Sequence, residues 1–466
     1  MAGGPRFAPF AGERVALVGL GRAGLPAALR LRDWGAEVTV WDDRAEARAA
    51  AEAAGLALRD VSSGPFPADA LLLSPGIPHA MPSPHPAAER ARDAGVPILC
   101  DVEYLFRAVR AAGSGAAFVG ITGTNGKSTT TALVHHLLRG AGRVAEVGGN
   151  LGPAALGLKM LGSDGVYTLE MSSYMLERIA TVVFNLGVML NLSPDHLDRH
   201  GSMAGYAAAK ARIFAGQRPE DLAVLGQDDP MTAAMAPAVT ARLVPISGRR
   251  RVAGGIWAEG MSLRDEAGEI ADLRAAPALP GAHNAQNAAA AAAVAFGLGL
   301  TRAQVAAGLA GFPGLAHRQE GVGSLGGVAF VNDSKATNVD SAARALGSYD
   351  RVVWIAGGMG KEGGIEGLAP FFPRIARAFL IGRDAAAFAQ TLAEAGVPHE
   401  VAGTLEAAVP AAAAAALGGA APVVLLSPAA ASFDQFTGFD ARGDRFRALV
   451  RAMIAGAAGS PGGKAA

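Results

Sequence analysis

The chain has 466 residues, 51% of them hydrophobic and 18% charged, with 41 basic residues against 41 acidic ones and a single cysteine, Cys100. That length corresponds to two or three domains of roughly 100–200 residues each, and the apolar content excludes an intrinsically disordered chain. Balanced charge provides no field for nucleic acid or a membrane surface, and one cysteine excludes an intrachain disulfide or a cysteine-based zinc site, as suits a reducing cytoplasm.

The opening MAGGPRFAPFAGERVALVGL lacks the uninterrupted apolar stretch of a secretory signal. Strand-like and helix-like segments then alternate, the pattern of parallel α/β layers. Apolar runs at 15–20, 38–41, 70–73 and 97–99 predict strands, with helices over 25–34 and 102–112 and a linker at Gly113-Ser114-Gly115. A second region opens with a strand at 117–121, a glycine loop and a helix over 128–139, then strands at 166–169, 188–190 and 223–225. Between 243 and 273, Gly and Asp-Glu turns separate short β-like pieces and predict antiparallel hairpins. The alanine-rich run 288–300 is shorter than the ~20 residues of a membrane span and reads with 285–296 as a buried helix, so no membrane insertion is expected. Phe312-Pro313-Gly314 marks a second boundary, and strands at 328–332, 352–356, 378–381 and 423–427 follow with helices between them. No internal repeat is evident, and the tail from Gly459 has a disordered composition. The expected organisation is three α/β domains, 1–113, 114–314 and 315–466.

Two glycine loops stand at strand–helix junctions. Gly19-Leu20-Gly21-Arg22-Ala23-Gly24 fits G-x-G-x-x-G, with Asp42 and Asp43 closing the next strand. That pattern suits NAD, FAD or the diphosphate of a UDP-sugar, and also a plain tight turn. The second loop, Gly123-Thr124-Asn125-Gly126-Lys127-Ser128-Thr129, has P-loop context although Ile121 stands at the first glycine position. Backbone N–H groups and a helix N-terminus there face phosphate oxygens; Lys127 would reach the β/γ-phosphates and Ser128 would ligate Mg²⁺. A second nucleotide loop makes a diphosphate-bearing ligand, rather than NAD, the better expectation for the first.

Only six of the 41 basic residues are lysines, and Lys127, Lys210, Lys335 and Lys361 all lie in motif-like segments. Where arginine is the default cation, a retained lysine points to a compact ammonium or an amine that can lose its proton. Lys210 is flanked by alanines; a solvated helix surface and a buried amine of lowered pKa both fit. Glu170 ends a strand, where a carboxylate faces the crevice of an open sheet, and His196 lies in NLSPDHLDRH beside Asp195 and Asp198. Glu170 suits Mg²⁺, while a lone histidine fits a structural role as well. Asn150, Asn284 and Asn287 are amides able to contact nucleotide or to serve as caps.

TGTNGKST, LEMSSYMLE, the block Asp195 to Arg199, AAKARIF, HNAQN, Ala316-His317-Arg318, NDSKATN and SPAAASFDQF occur in this order over nearly the whole chain. Together they resemble the Mur ligase family. Within it, SPAAASFDQFTGFDARG and the N-terminal G-L-G-x-x-G are most similar to glutamate-adding members, and the DNPR-type motif of diaminopimelate- or lysine-adding members is absent. The resemblance implies a Rossmann-like N-terminal UDP-binding domain, a central P-loop ATPase-like domain and a C-terminal Rossmann-like domain in a cytoplasmic monomer. It implies that ATP phosphorylates the carboxylate of UDP-MurNAc-L-Ala and that D-glutamate attacks the acyl phosphate. By the same resemblance Lys127, Ser128 and Thr129 hold phosphates and Mg²⁺, Glu170 and His196 hold metal, and Lys210 carries CO₂ as a carbamate ligand. Asn284, Asn287, Arg318 and Asp333 would contact ATP, and Lys335, Thr337, Lys361, Ser432 and Phe439 the glutamate and intermediate. Gly19 to Gly24, Asp42, Asp43, Arg44 and Ser74-Pro75-Gly76 would hold the UDP end, with Asn150 and Ser172 along the path to the metal. Ala23 and Met359 depart from the family, which commonly has a hydroxyl and an acid there. The UDP-type loop argues against a folate-directed ligase; intact Lys210, Glu170 and His196 argue against a non-catalytic nucleotide-binding protein.

Overall fold

A computed structural model describes residues 7–21, 23–360 and 363–458; the tail from Gly459 lies outside the described residues. The run RVALV is buried at every position after its first, as a strand covered on both faces must be. It forms β1 (Arg14–Val18) and is followed by β2 (Glu37–Trp41), β3 (Ala57–Leu58), β4 (Ala70–Leu73) and β5 (Ile98–Leu99). These five make an all-parallel sheet in the order β3-β2-β1-β4-β5. Parallel neighbours require crossovers, supplied here by α1 (Gly24–Asp33), α2 (Ala45–Ala53) and α3 (Pro86–Asp93); α4 (Asp101–Ala111) follows β5.

The second sheet comprises β6 (Ala117–Thr122), β7 (Ala145–Gly149), β8 (Val166–Glu170), β9 (Leu186–Met189), β10 (Leu222–Gly226), β11 (Arg242–Ser247), β12 (Ile256–Glu259), β13 (Ser262–Asp265) and β14 (Gly268–Asp272). Its order is β14-β13-β12-β11-β10-β9-β6-β8-β7. Around it lie α5 (Lys127–Gly140), α6 (Ser173–Leu176), α7 (Leu197–His200), α8 (Met203–Ala211), α9 (Pro230–Ala233), α10 (Ala282–Gly297) and α11 (Arg302–Ala310).

The expectation of antiparallel hairpins throughout 243–273 needs correction. β11 is parallel to both β10 and β12, and only β12, β13 and β14 run antiparallel. Pro245 is tolerated in β11 because β12 pairs with Ile246 and Ser247, so the missing proline N–H falls where no ladder partner needs it. β7, with sequence AEVGG, was not predicted because two of its residues are glycine, yet it pairs with β8 along its full length. α10 begins at Ala282, before the expected 285, which brings Asn284 into the helix. Its alanines from Ala285 onward are buried, and small side chains let it pack closely on α5 and β12. No helix among the described residues is long and apolar enough to cross a membrane.

One continuous apolar core runs through the first two sheets, with Phe106 on Phe118 at 5.1 Å and Phe118 on Tyr167 at 4.8 Å between ring centres. Buried carboxylates reinforce it: Asp101 accepts from the Ala155 N–H at 2.7 Å, and Glu103 from that of Ala180 at 2.7 Å. Accordingly the chain up to Ala276, with Ala282–Phe312, forms one compact unit.

The other unit comprises Pro277–Gly281 and the chain from Pro313. Its strands are β15 (Glu320–Leu325), β16 (Val328–Asn332), β17 (Val352–Gly357), β18 (Ile375–Ile381), β19 (His399–Gly403) and β20 (Val423–Leu426), in the order β15-β16-β20-β17-β18-β19. All pairs are parallel except β15 with β16. α12 (Val339–Gly347), α13 (Ala385–Glu394), α14 (Leu405–Leu417) and α15 (Phe439–Ala458) complete it. Separate apolar clusters, one containing Trp354 and the other Phe330, fill the unit. The fold is thus α/β with three sheets of mainly parallel strands.

Candidate active site

At the end of β1 the chain must turn sharply into α1. Gly19 adopts φ +97°, and a Cβ there would lie 2.5 Å from the Ser74 Cβ; one on Gly24 would lie 1.9 Å from the Gly19 carbonyl oxygen. Only glycines allow these approaches. The Leu20 N–H donates to Asp42 Oδ2 at 2.6 Å, and Arg44 donates from its N–H and its Nε to Asp42 Oδ1 at 2.9 and 3.1 Å. Burial alone would raise the Asp42 carboxyl, but the Arg44 guanidinium and the two N–H groups outweigh it and hold the group below the usual carboxylate range. Gly19, Leu20, Gly21, Ala23, Gly24, Asp42, Arg44 and Ser74-Pro75-Gly76 therefore gather around one turn. Asp43 does not join them: its exposed carboxylate lies 3.5 Å from His85 Nε2. Arg22 lies outside the described residues.

The second loop joins β6 to α5. Gly126 is the N-cap with φ +83° and no side-chain cap. A Cβ there would sit 2.2 Å from Asn287 Oδ1. Asn287 in turn accepts from Thr130 Oγ1 at 3.2 Å and donates to Asn284 Oδ1 at 2.9 Å, so α10 supports the loop from behind. Asn191 grips the front, accepting the Asn125 N–H at 2.9 Å and donating to the Asn125 carbonyl at 3.1 Å. Ser128 is buried and Thr129 half-buried in the first turn of α5, where the helix dipole favours anions.

Lysines converge behind this loop. Lys127 Nζ donates to the carbonyls of Gly123 and Thr124 at 2.9 and 2.8 Å. Lys210 Nζ, from α8, donates to the same Gly123 carbonyl at 2.9 Å and to Thr122 Oγ1 at 3.2 Å. Only 1% of Lys210 is exposed, which settles the choice between a surface and a buried amine. Burial, and then the neighbouring Lys127 charge, hold its amine well below the ordinary lysine value, with Asp195 and Glu170 opposing. Its Nζ also stands 4.8 Å from the centre of the Tyr206 ring.

Glu170 ends β8 and is buried. Its Oε1 accepts from Asn150 Nδ2 at 2.6 Å, whereas Oε2 is buried without a hydrogen-bond partner. A buried carboxylate oxygen left unsatisfied is costly, and it is what a cation ligand looks like before its cation is counted. Ser172 is engaged as the N-cap of α6, accepting the Met175 N–H at 3.2 Å. His196 caps α7 with φ +53° and contacts the Tyr174 ring at 5.0 Å. Burial lowers its pKa, Asp195 opposing and the Lys127 and Lys210 charges adding to the effect. No group of three His, Cys, Asp or Glu side chains placed to hold a metal occurs among the described residues. The donor set that fits Mg²⁺ is one free carboxylate oxygen, a hydroxyl and an amine capable of modification.

In the C-terminal unit, Asp333 follows β16. Its Oδ2 accepts from Ser427 Oγ at 2.8 Å and its Oδ1 from the Gln319 N–H at 3.2 Å. Burial pushes its carboxyl up to about 7, against Ser427, Gln319 and the Arg318 charge. Lys335 Nζ stands 4.0 Å from the centre of the Phe439 ring, and the Thr337 N–H donates to the Lys335 carbonyl at 2.8 Å. Ser432 is buried, its carbonyl accepting the Phe436 N–H at 2.8 Å. Lys361 lies outside the described residues; the Gly360 N–H before it donates to Asp384 at 2.7 Å. Arg442, 1% exposed, donates to Ser334 Oγ at 3.0 Å and to the Ser334 and Ala430 carbonyls at 2.9 and 3.1 Å. Sequence reasoning gave no role to Arg442, Asn191, Tyr206 or Arg178. The first three stand inside motif segments, but nothing local shows that they turn inward.

Two strand–glycine-loop–helix junctions on parallel sheets, the second backed by two lysines, one of them buried, and an unsatisfied carboxylate, define a nucleotide-type α/β protein. Comparison with known proteins narrows this. Residues 121–295 match the Mur ligase middle domain, and residues 317–430 match the Mur ligase, glutamate ligase domain. The chain is 50% identical over 451 residues to the UDP-N-acetylmuramoylalanine–D-glutamate ligase of Rhizobium etli, covering 95% of each chain. With the enzyme of the same name from Caulobacter vibrioides it shares 48% over 469 residues, covering 98% of each. Among solved structures, the UDP-N-acetylmuramate-alanine ligase of Thermotoga maritima matches with a TM-score of 0.60 at 19% identity, over 95% of this chain and 100% of that one. The MurF ligase of Thermotoga maritima in complex with ADP matches at 0.57 and 17%, over 84% and 90%. The chain belongs to the Mur ligase family.

Proposed function

We infer that this protein is an ATP-dependent ligase that joins D-glutamate to UDP-N-acetylmuramoyl-L-alanine, a step in making peptidoglycan precursors. The similarity to D-glutamate ligases of about half identity over nearly the whole chain supports the substrate pair. The geometric observation that carries the chemistry is the pairing of Lys127 and Lys210 on one loop carbonyl, with the unpartnered carboxylate oxygen of Glu170 within electrostatic reach of Lys210. A free carboxylate is a poor electrophile. Transfer of the γ-phosphoryl group of ATP to the substrate carboxylate releases ADP and forms an acyl phosphate; the glutamate amine then attacks that carbonyl, and the amide forms as phosphate leaves.

In this reading Gly123 to Thr129 cradle the phosphates and Lys127 neutralises charge on the transferring group. Mg²⁺, when bound, supplies further neutralisation of phosphate charge. Ser128, the free oxygen of Glu170, His196 and Lys210 would hold it. Burial, by lowering the Lys210 pKa, favours the neutral, nucleophilic form of the amine, the form that adds CO₂ to give a carbamate oxygen ligand. Asn284 and Asn287 support the loop and would contact ATP. Arg318 and Asp333 would contact ATP, and Lys335, Thr337, Lys361, Ser432 and Phe439 the glutamate. The first loop, with Asp42 and Arg44, would take the UDP end, and Asn150 and Ser172 would line the path to the metal. The corresponding domains are 1–113, 114–314 and 315–466, in a cytoplasmic monomer.

The test is phosphate release from ATP with UDP-MurNAc-L-Ala, comparing D-glutamate, L-glutamate and no amino acid. Release only with D-glutamate is expected. Release with L-glutamate alone, or no release, overturns the reading.

A further inference from the structure

Arg178 follows α6 and is 1% exposed, among the largest fully buried side chains of the protein. Among the described residues no carboxylate forms a salt bridge with it. Its NH1 donates to the carbonyls of Leu73 and Ser74 at 2.8 and 3.0 Å, and its NH2 to that of Ile77 at 2.6 Å. Its Nε lies 3.4 Å from His79 Nδ1. Burial, and then the Arg178 charge, hold His79 down at about 4, so its ring is neutral and can accept there.

A buried guanidinium answered only by neutral acceptors is an expensive way to join two layers. The layers are joined without it, through the shared apolar core and the Asp101 and Glu103 contacts already described. What the guanidinium adds is a grip on one turn, from Leu73 to Ile77. That turn forms a wall of the first glycine loop: a Cβ on Gly19 would meet Ser74 Cβ at 2.5 Å and Ile77 Cδ1 at 2.8 Å. At its other end Arg178 belongs to the segment leading from Glu170 through Ser172 and α6. Arg199, three residues after His196, reaches the same turn, donating to the Gly76 carbonyl at 3.3 Å.

We propose that Arg178 is a positioning residue for the ligase reaction, holding the Leu73–Ile77 turn, and with it the UDP loop, at a fixed distance from the Glu170 and Lys210 centre. The proposal rests on the function inferred above. Because a reactant displaced by about 1 Å can lose on the order of 100-fold in rate, the effect should appear on the UDP substrate and not on ATP.

The experiment compares wild type, Arg178→Met and Arg178→Lys by initial-rate phosphate release, and by calorimetric titration with UDP alone. Arg178→Met is expected to raise KM for UDP-MurNAc-L-Ala and weaken UDP by about tenfold or more, with KM for ATP within about twofold. Arg178→Lys, which keeps the charge but not the fork of donors, should recover part of the loss. Unchanged UDP affinity in a cooperatively melting variant overturns the proposal, as does an equal rise in both KM values. If Arg178→Met does not fold, Arg178→Lys carries the same comparison. Should wild type bind UDP but release no D-glutamate-dependent phosphate, the ligase reading fails, and the UDP titration still decides whether Arg178 sets the loop. Absence of UDP binding to wild type overturns both.

Discussion

The two glycine loops share a local design and differ in what stands behind them. Each ends a buried parallel strand, opens a helix, and contains a glycine whose Cβ would collide with a neighbour, the Gly19 carbonyl in one case and Asn287 in the other. Behind the first, the carboxylate of Asp42 accepts a loop N–H and pairs with Arg44. Behind the second, two lysines donate to one carbonyl and a carboxylate oxygen is left unpaired. A glycine loop thus prepares a turn for close approach, and the charges that the tertiary fold brings behind it decide which ligand it suits. Acid behind a loop favours hydroxyl donors and discourages extra anionic charge, whereas paired cations favour a polyphosphate.

The comparison breaks most sharply at Lys210. Lys210→Met should lower phosphate release by on the order of 100-fold or more, the scale of losing a principal electrostatic group, while raising the melting temperature near neutral pH. The sign follows from burial. The amine is held well below its ordinary value, so between its folded and unfolded pKa values the folded state binds fewer protons and stability rises with pH toward about 10.4. The methionine variant should lack that slope; a melting temperature that falls on substitution contradicts it.

Next come the glycines, which should separate the two ligands. Gly126→Ala forces a left-handed alanine against Asn287 and should raise KM for ATP by on the order of tenfold, with UDP affinity unchanged. Gly24→Ala should weaken UDP to a comparable extent and spare ATP. Calorimetry with each nucleotide reads both, and crossed effects would mean that the loops are not independent.

A smaller effect is expected at Asp42. Asp42→Asn keeps an acceptor for the Leu20 N–H but loses the charge paired with Arg44, and should weaken UDP by a few-fold, worth about 1 kcal/mol. Its pH slope has the same sign as that of Lys210 but lies in the acid range: with the carboxyl held below its usual range, its stabilisation is present above about pH 4 and is lost as pH falls through the lower folded value. Acid melts of wild type and Asp42→Asn should therefore converge below that range. Parallel curves would show that the carboxylate contributes little.

Much of this was legible in the residues. Apolar runs flanked by glycine located β1, β6 and β16, since a strand buried on both faces carries its signal in its own composition. The scarcity of lysine singled out Lys127, Lys210 and Lys335, and motif order indicated the family. β7 was hidden by its glycines, and the parallel direction of β11 was not legible, because both come from long-range pairing, with β8 and with β10. Whether Lys210 was solvated or buried could not be read from flanking alanines; Thr122 and the Gly123 carbonyl, brought from elsewhere in the chain, decide it. Arg178 gave no local signal, because its partners lie about 100 residues earlier in the chain. By itself, then, the sequence determined the alternation of elements, the two turns only glycine can make, and the side chains available for chemistry, all properties of short segments. Which amine has its pKa lowered, which carboxylate oxygen stays unpaired and which turn an arginine holds were decided by tertiary structure alone, since burial and hydrogen-bond satisfaction depend on neighbours distant along the chain.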